Sequence, residues 1–280
     1  MSETREIMSQ EQDTNRPVQI PAMAPMDNIN QGTVAIEASR AVAEAQGKLV
    51  IAKRFPRNEV EAYAKAMESC QRTSMASKAF YSFPRGGQTV EGPTIRFAEE
   101  LARCWGNIDY GIKELSQDDG KSEMQAYAWD LETNAQSVQN FTNPHQREQG
   151  KKMVTLTSQR DIYENNANMA TRRLRSRILA ILPSWFVDDA INECKKTLAG
   201  QNDVPLTDRV KKMVVAFAKL GVTAEQIERR LKKKIETMNA DDFVEYTGIF
   251  NAIKQGESKI AEWFEADPVA SDLTNELKGE

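Results

Sequence analysis

Four arginines fall within six residues, at Arg172, Arg173, Arg175 and Arg177. The planar guanidinium fork suits two-point contact with phosphate, so the run points to polyanion binding rather than bond making. Lys151, Lys152 and Arg160 extend the basic stretch upstream, and a second run holds Arg229, Arg230, Lys232, Lys233 and Lys234. Arg85 stands in a Pro-Arg-Gly-Gly turn, where two glycines permit close approach of backbone to a phosphate or a neighbouring subunit. Tyr81, Phe83, Tyr127 and Trp129 lie in strand-like segments and can stack on bases. A plainer reading stands beside each: solvated helix faces for the charge runs, an ordinary hairpin tip for Arg85, core packing for the aromatics.

Catalytic constellations are sparse. The single histidine, His145, sits in TNPHQRE and reads as a solvated loop residue. One histidine excludes a two-histidine metalloprotease helix, and no G-x-S-x-G elbow accompanies any serine. There is no G-x-x-x-x-G-K-[ST] run and no G-x-G-x-x-G, so neither an ATP-driven motor nor a dinucleotide enzyme is supported. Cys70, Cys104 and Cys194 form no C-x-x-C pair and read as reduced thiols. Asp109 and Glu123 fall on adjacent strands, as nuclease acids would. Glu123 is followed by Met124 and Gln125, so the lysine of a Glu-x-Lys core is missing.

The 280-residue chain is 40% hydrophobic and 28% charged, a globular composition. No apolar run approaches the ~20 residues of a membrane span, and the polar N-terminus does not resemble a secretory signal; a cytoplasmic protein is expected. Net charge is −4, but it is unevenly spread. Residues 1–31 carry 5 acids and 2 bases, residues 236–280 carry 11 acids and 3 bases, and the stretch between them carries 32 bases and 25 acids. A basic body between acidic ends suits a polyanion-binding protein.

These residues need elements to position them. Residues 1–31 lack periodicity and read as a disordered arm. A first helix is expected over 33–46, ended by Gly47, with LVIAKRFP as a short strand or extended link. A second helix follows from Asn58. AFYSF, PRGGQ and TVEG give a hairpin. Pro93 opens a helix ending at Gly106, with Trp105 on its buried stripe. Three strands form a meander over about 107–144, with Asp119-Gly120 at one tip and Tyr127 and Trp129 on the face opposite Met124, Ala126 and Ala128. A polar loop through His145 to Lys152 leads to a long helix from about Ser158 to Ile181. There Asn165, Asn166 and Asn168 are costly residues that suit a polar groove. One more helix ends at Gly200, GQNDVP is a linker, and three helical segments follow, with Thr223 and Gln226 as a capping box. The expected organisation is an α+β core over 32–200, a small helical domain over 201–266 and an acidic tail over 267–280.

The run KAFYSFPRGGQTVEGPTIRFAEELARCWGNIDYGIKEL (78–115) resembles prophage proteins of recombination modules. The order of hairpin, helix, three-stranded meander and long helix over about 33–200 is similar to the core of RecT/Redβ-type phage single-strand annealing proteins. That resemblance implies an ATP-independent, non-catalytic protein without a cofactor. It implies single-stranded DNA held by its backbone, bases left open for pairing, and protomers assembled in a ring or helical filament. The C-terminal segment resembles the partner-binding domain of Redβ-type proteins. This implies that Arg229, Arg230 and Lys232 to Lys234 dock the acidic tail of the host single-strand-binding protein, with a phage exonuclease as a further partner. Arg85, Lys151, Lys152, Arg160 and the four arginines from Arg172 to Arg177 would then carry the DNA backbone. Two other readings stay open: a sequence-specific regulator using the C-terminal helices as a helix-turn-helix, and a metal-dependent nuclease.

Overall fold

The computed structural model describes residues 31–85, 88–149, 152–200 and 204–265. The expected disordered arm, except Gln31, and the acidic tail lie outside these residues, as do Lys151 and the two glycines after Arg85. Two compact units are distinguished, Met1–Gly47 and Lys48–Glu280. The first is described only as the beginning of helix α1 (Gln31–Arg54), where Val34, Ile36 and Val42 are exposed. α1 continues through Gly47, so LVIAKR is helical rather than a strand or link. A glycine in a helix costs only about 1 kcal/mol relative to alanine. Beyond it, Lys48 pairs with Asp109 at 3.2 Å and Ala52 is fully buried, which supports the last turns.

The second unit is α+β. Helix α2 (Glu59–Cys70) starts where the Asn58 side chain accepts from the Val60 and Glu61 amides. A single turn, α3 (Thr73–Ala76), leads to the hairpin of β1 (Phe80–Arg85) and β2 (Gln88–Pro93), paired from Phe80–Pro93 to Arg85–Gln88. Pro93 closes β2 rather than opening the next helix. Thr94 is the cap instead: its hydroxyl accepts from Phe97 N and donates to the Lys78 carbonyl, tying helix α4 (Ile95–Trp105) to the turn that precedes β1. Gly106, at φ 78°, ends α4 in a conformation that favours glycine.

Strands β3 (Ile108–Asp118), β4 (Lys121–Asp130) and β5 (Gln136–Pro144) form an antiparallel meander with β4 central. Helix α5 (Gln159–Ile181) packs on one face, over Met124, Ala126 and Ala128. The two alanines let it approach closely. Its buried stripe runs Ile162, Asn166, Ala170, Leu174, Ile178, a spacing of four that keeps one face on the sheet. Between β5 and α5 the expected polar loop is instead a two-stranded wing, β6 (Gln146–Gln149) and β7 (Lys152–Thr155). All eight of its strand residues are exposed, so no burial pattern marks it in the sequence.

Helices α6 (Ser184–Ala199), α7 (Leu206–Ala218), α8 (Ala224–Leu231) and α9 (Ala240–Lys254) follow α5. The capping box of Thr223 and Gln226 forms. The last three helices, expected as a domain of their own, belong to the same compact unit as the core. α9 lies on β1: Gly248 faces Ser82 and Phe80, and Asn251 donates to the Ser77 and Phe80 carbonyls at 2.9 and 2.8 Å. One contiguous core runs from Phe97, Trp105 and Phe186 to Phe217, Tyr246 and Phe264. Each such side chain contributes about 1.5–3 kcal/mol by burial.

Candidate functional site

The arginine run does not form one open surface. Arg175 is 12% exposed; its guanidinium donates to Glu257 at 2.9 Å and lies 4.7 Å from the centre of the Tyr81 ring. Arg172 reaches the same carboxylate at 3.6 Å and donates to the Gly256 carbonyl. Arg173 caps the Phe141 ring at 4.0 Å and donates to the Met169 carbonyl. Arg177 is half-buried, with Nε buried and unpartnered. A helix 3.6 residues per turn must send such a run around its axis, so these residues divide between the sheet, the C-terminal segment and solvent. Tyr81 is buried and stacks on half-buried Phe83 at 5.9 Å, so it belongs to the core rather than to a base-stacking surface.

Tyr127 and Trp129 have a different setting. Alternation along β4 turns Met124, Ala126 and Ala128 inward and Glu123, Gln125, Tyr127 and Trp129 to the face away from α5. The register sets Tyr127 between Gly111 and Val138, Gln125 between Lys113 and Asn140, and Trp129 between Asp109 and Gln136. Gly111 has a packing reason: a Cβ there would stand 3.1 Å from the Tyr127 hydroxyl, so the ring lies across the bare backbone. Lys113 Nζ is 4.9 Å from the centre of that ring, and Trp129 donates to Asn134 at 2.9 Å. Val138 is 49% exposed beside them. Two anchored rings, an ammonium and several amides therefore share one half-open sheet face. Lys113, Gln125 and Asn140 escaped the sequence reading, although the period-two pattern places them beside the aromatics.

Exposed cations lie elsewhere as well. Arg85 is exposed at the end of β1, Lys152 and Arg147 on the wing, and Arg160 in the first turn of α5. The second basic run is largely neutralised within the fold. Arg230 pairs with Glu245 at 2.7 Å and lies over Trp263, Lys233 pairs with Asp242, and Lys234 with Glu228. Lys232 adopts the left-handed conformation that ends α8, at φ 57°. Arg229 is exposed. The acidic partner expected for these residues is thus met in part by the chain's own carboxylates.

His145 is 4% exposed, not a solvated loop residue. Its Nε2 lies 2.8 Å from Ser122 Oγ, Asn166 donates to the same oxygen at 2.9 Å, and Asn143 donates to Asn166 at 2.6 Å. Ser122 is fully buried, so this Ser-His contact cannot meet a substrate carbonyl; it joins the wing, the sheet and α5. Asn166 thereby serves a closed polar network rather than an open groove. All three cysteines are buried. Burial, with Glu100 beside it, pushes the Cys104 thiol up to about 11, and hydrogen bonding to Cys70 together with burial raises Cys194. Such thiols are not nucleophiles at neutral pH. The Asp109–Glu123 pairing dissolves in the register: Asp109 faces Trp129, six positions and about 20 Å from Glu123. Among the described residues no group of three or more His, Cys, Asp or Glu side chains could hold a metal, and no helix is long and apolar enough to cross a membrane.

No family model, curated protein or solved structure matches this chain.

Proposed function

We propose that this chain is an ATP-independent single-stranded DNA-binding and strand-annealing protein that works as a homo-oligomer and makes or breaks no covalent bond. The observation that carries the reading is the sheet face where Tyr127 and Trp129 stand two positions apart with Lys113, Gln125 and Asn140 around them. Neighbours on one face of a strand are about 7 Å apart, room for each ring to take its own base. Stacking is indifferent to sequence, as annealing requires, and contributes about 1–3 kcal/mol per base. Exposed Arg85, Arg147, Lys152 and Arg160 add phosphate attraction.

Exposed apolar side chains support assembly. α1 leaves Val34, Ile36, Val42, Val50 and Ile51 in solvent, and Met153 on the wing is 65% exposed. A ring or filament would cover them. The resemblance of residues 78–115 to prophage recombination proteins points the same way and suggests a phage exonuclease and the host single-strand-binding protein as partners, in the host cytoplasm. The regulator reading gains nothing from α8, where Arg230 turns inward to Glu245 and Trp263.

The test mixes purified protein with complementary oligonucleotides without ATP, across a salt series. Duplex formation faster than in protein-free DNA, lost at high salt and in Tyr127→Ala/Trp129→Ala, is expected. Tight binding to one duplex sequence without acceleration would favour the regulator; strands shortened on adding magnesium would favour a nuclease.

A further inference from the structure

Four cations that no run in the sequence brings together meet along one groove. Lys78 precedes β1, Arg96 and Arg103 lie on α4, and Lys254 ends α9. They line a groove of about 970 Å³ with Ile95 and Tyr110 among its apolar surface. Ile95, Lys254 and Gln255 also line an adjoining cavity of about 340 Å³, which contains Arg172, Arg175 and Glu257. Taken together as one path, the two are lined by six cations. Three carboxylates also line the path: Glu99 and Glu100 sit beside Arg96 and Arg103, and Glu257 sits between Arg172 and Arg175. Lys78 and Lys254 line the groove with no ion pair among the described residues, and Lys254 Nζ lies 5.8 Å from the centre of the Phe250 ring.

The far end is already a built anion site. Glu257 is 12% exposed and takes both Arg172 and Arg175, at 3.6 and 2.9 Å. Gly256, at φ 67°, precedes it in a turn beyond α9, so the carboxylate sits on a short connection rather than on a helix. Two guanidiniums closing on one carboxylate match what a phosphate would receive. We propose that this path carries the phosphodiester backbone of single-stranded DNA, and that Glu257 occupies one phosphate position until DNA displaces it. The inference rests on the strand-annealing reading and adds to it a second stretch of strand contact: Tyr110 shares the sheet face of Ala128, so the groove lies on the side opposite Tyr127 and Trp129, and Glu257 is what competes for phosphate there. It also adds phosphate contacts on α4, α5 and α9 to those of Arg85, Arg147, Lys152 and Arg160.

The test measures anisotropy of a labelled oligothymidylate across a salt series. Each phosphate contact on a single strand contributes about 0.7 to the slope of log affinity against log salt. Lys78→Ala/Lys254→Ala is expected to weaken binding by about tenfold and to lower that slope by about 1.4. Neither side chain supports the fold by an ion pair, so an unchanged thermal midpoint is expected alongside. Glu257→Gln keeps the shape and removes the competing charge; it should bind more tightly by several-fold at low salt. If the lysine pair leaves affinity and slope unchanged while Tyr127→Ala/Trp129→Ala abolishes binding, the path is overturned and the strand-annealing reading stands. If Glu257→Gln binds no tighter, its role as competitor is overturned. If the wild-type chain has no affinity for oligothymidylate at low salt, the strand-annealing reading falls and takes the path with it.

Discussion

Arg57 donates to Asp130 in a place where the two side chains are only 7% and 4% exposed. The same guanidinium reaches Glu132 at 3.0 Å and lies over the Trp105 ring at 5.1 Å. Asp130 accepts from the Glu132 and Thr133 amides as well, and Glu132 takes the Asn107 amide. The start of α2, the end of α4 and the β4–β5 turn therefore meet at one arginine. A buried pair is weak evidence for net stability, but removing one partner strands the other charge. Arg57→Ala is expected to destabilise the protein by about 3–5 kcal/mol, read from urea unfolding. A loss below about 1 kcal/mol, as for exposed pairs, would contradict the closed site.

The same carboxylates set the acid limb of stability. Burial works to raise the Asp130 carboxyl, but the donors from Arg57 and from the backbone outweigh it and hold it below its ordinary value; Glu132 behaves alike, with Asn107 and Arg57. A carboxyl depressed on folding stabilises above its unfolded pKa, near 4, and the contribution fades as pH falls through the folded value. Unfolding free energy should hold down to about pH 5 and fall below about pH 4. Asp130→Asn should start lower at neutral pH and decline less in acid. An acid limb as steep as wild type would assign the loss to other groups.

Gly248 tests the seating of α9 on β1. A Cβ there would stand 2.5 Å from Ser82 Oγ and 3.3 Å from Phe80, both buried. On an exposed helix, glycine to alanine gains about 1 kcal/mol. Here overpacking should win, with Gly248→Ala losing about 1–3 kcal/mol net. Thermal unfolding decides between the two signs.

The polar network beneath the wing should be costly to open. Asn166→Ala removes the donor to Ser122 and the acceptor of Asn143, leaving buried groups unpaired, at about 1–3 kcal/mol. The His145 amide donates to the Gly120 carbonyl, and the Leu156 amide to His145. Those two amides should exchange faster in the variant while α9 amides keep their protection. Uniform loss of protection would mean global rather than local loosening.

On the sheet face, Tyr127→Ala and Trp129→Ala should each weaken oligothymidylate binding by about 1–3 kcal/mol. Trp129 is half-buried on this face, so DNA stacked there should quench its fluorescence. Quenching retained in Trp129→Phe would place the bases near another tryptophan.

Much of the architecture was legible from local pattern. Alternation over 123–132 gave both faces of β4, so the setting of Tyr127 and Trp129 followed from period alone. Thr223 with Gln226 marked a helix start, and Trp105 fell on the buried stripe of its helix. The errors came where local signals are weak or outvoted. Gly47 suggests a helix end, yet one glycine costs too little to stop α1. The wing at 146–155 buries none of its strand residues and so left no hydrophobic signature.

The sequence by itself determined the charge distribution, the absence of the nucleotide-binding and serine-hydrolase signatures, and the order of helices and strands apart from the wing, because these depend on residue type and on spacing within one element. Only the tertiary structure decided which charges are spent. Glu257 lies 82 positions beyond Arg175, Asp130 lies 73 beyond Arg57, and Lys254 shares a groove with Lys78. The energy of such meetings comes from burial and distance in space, and neither is a property of a run of letters. So a run of arginines came to be divided between a carboxylate, an aromatic ring and solvent, and four scattered cations came to line one groove.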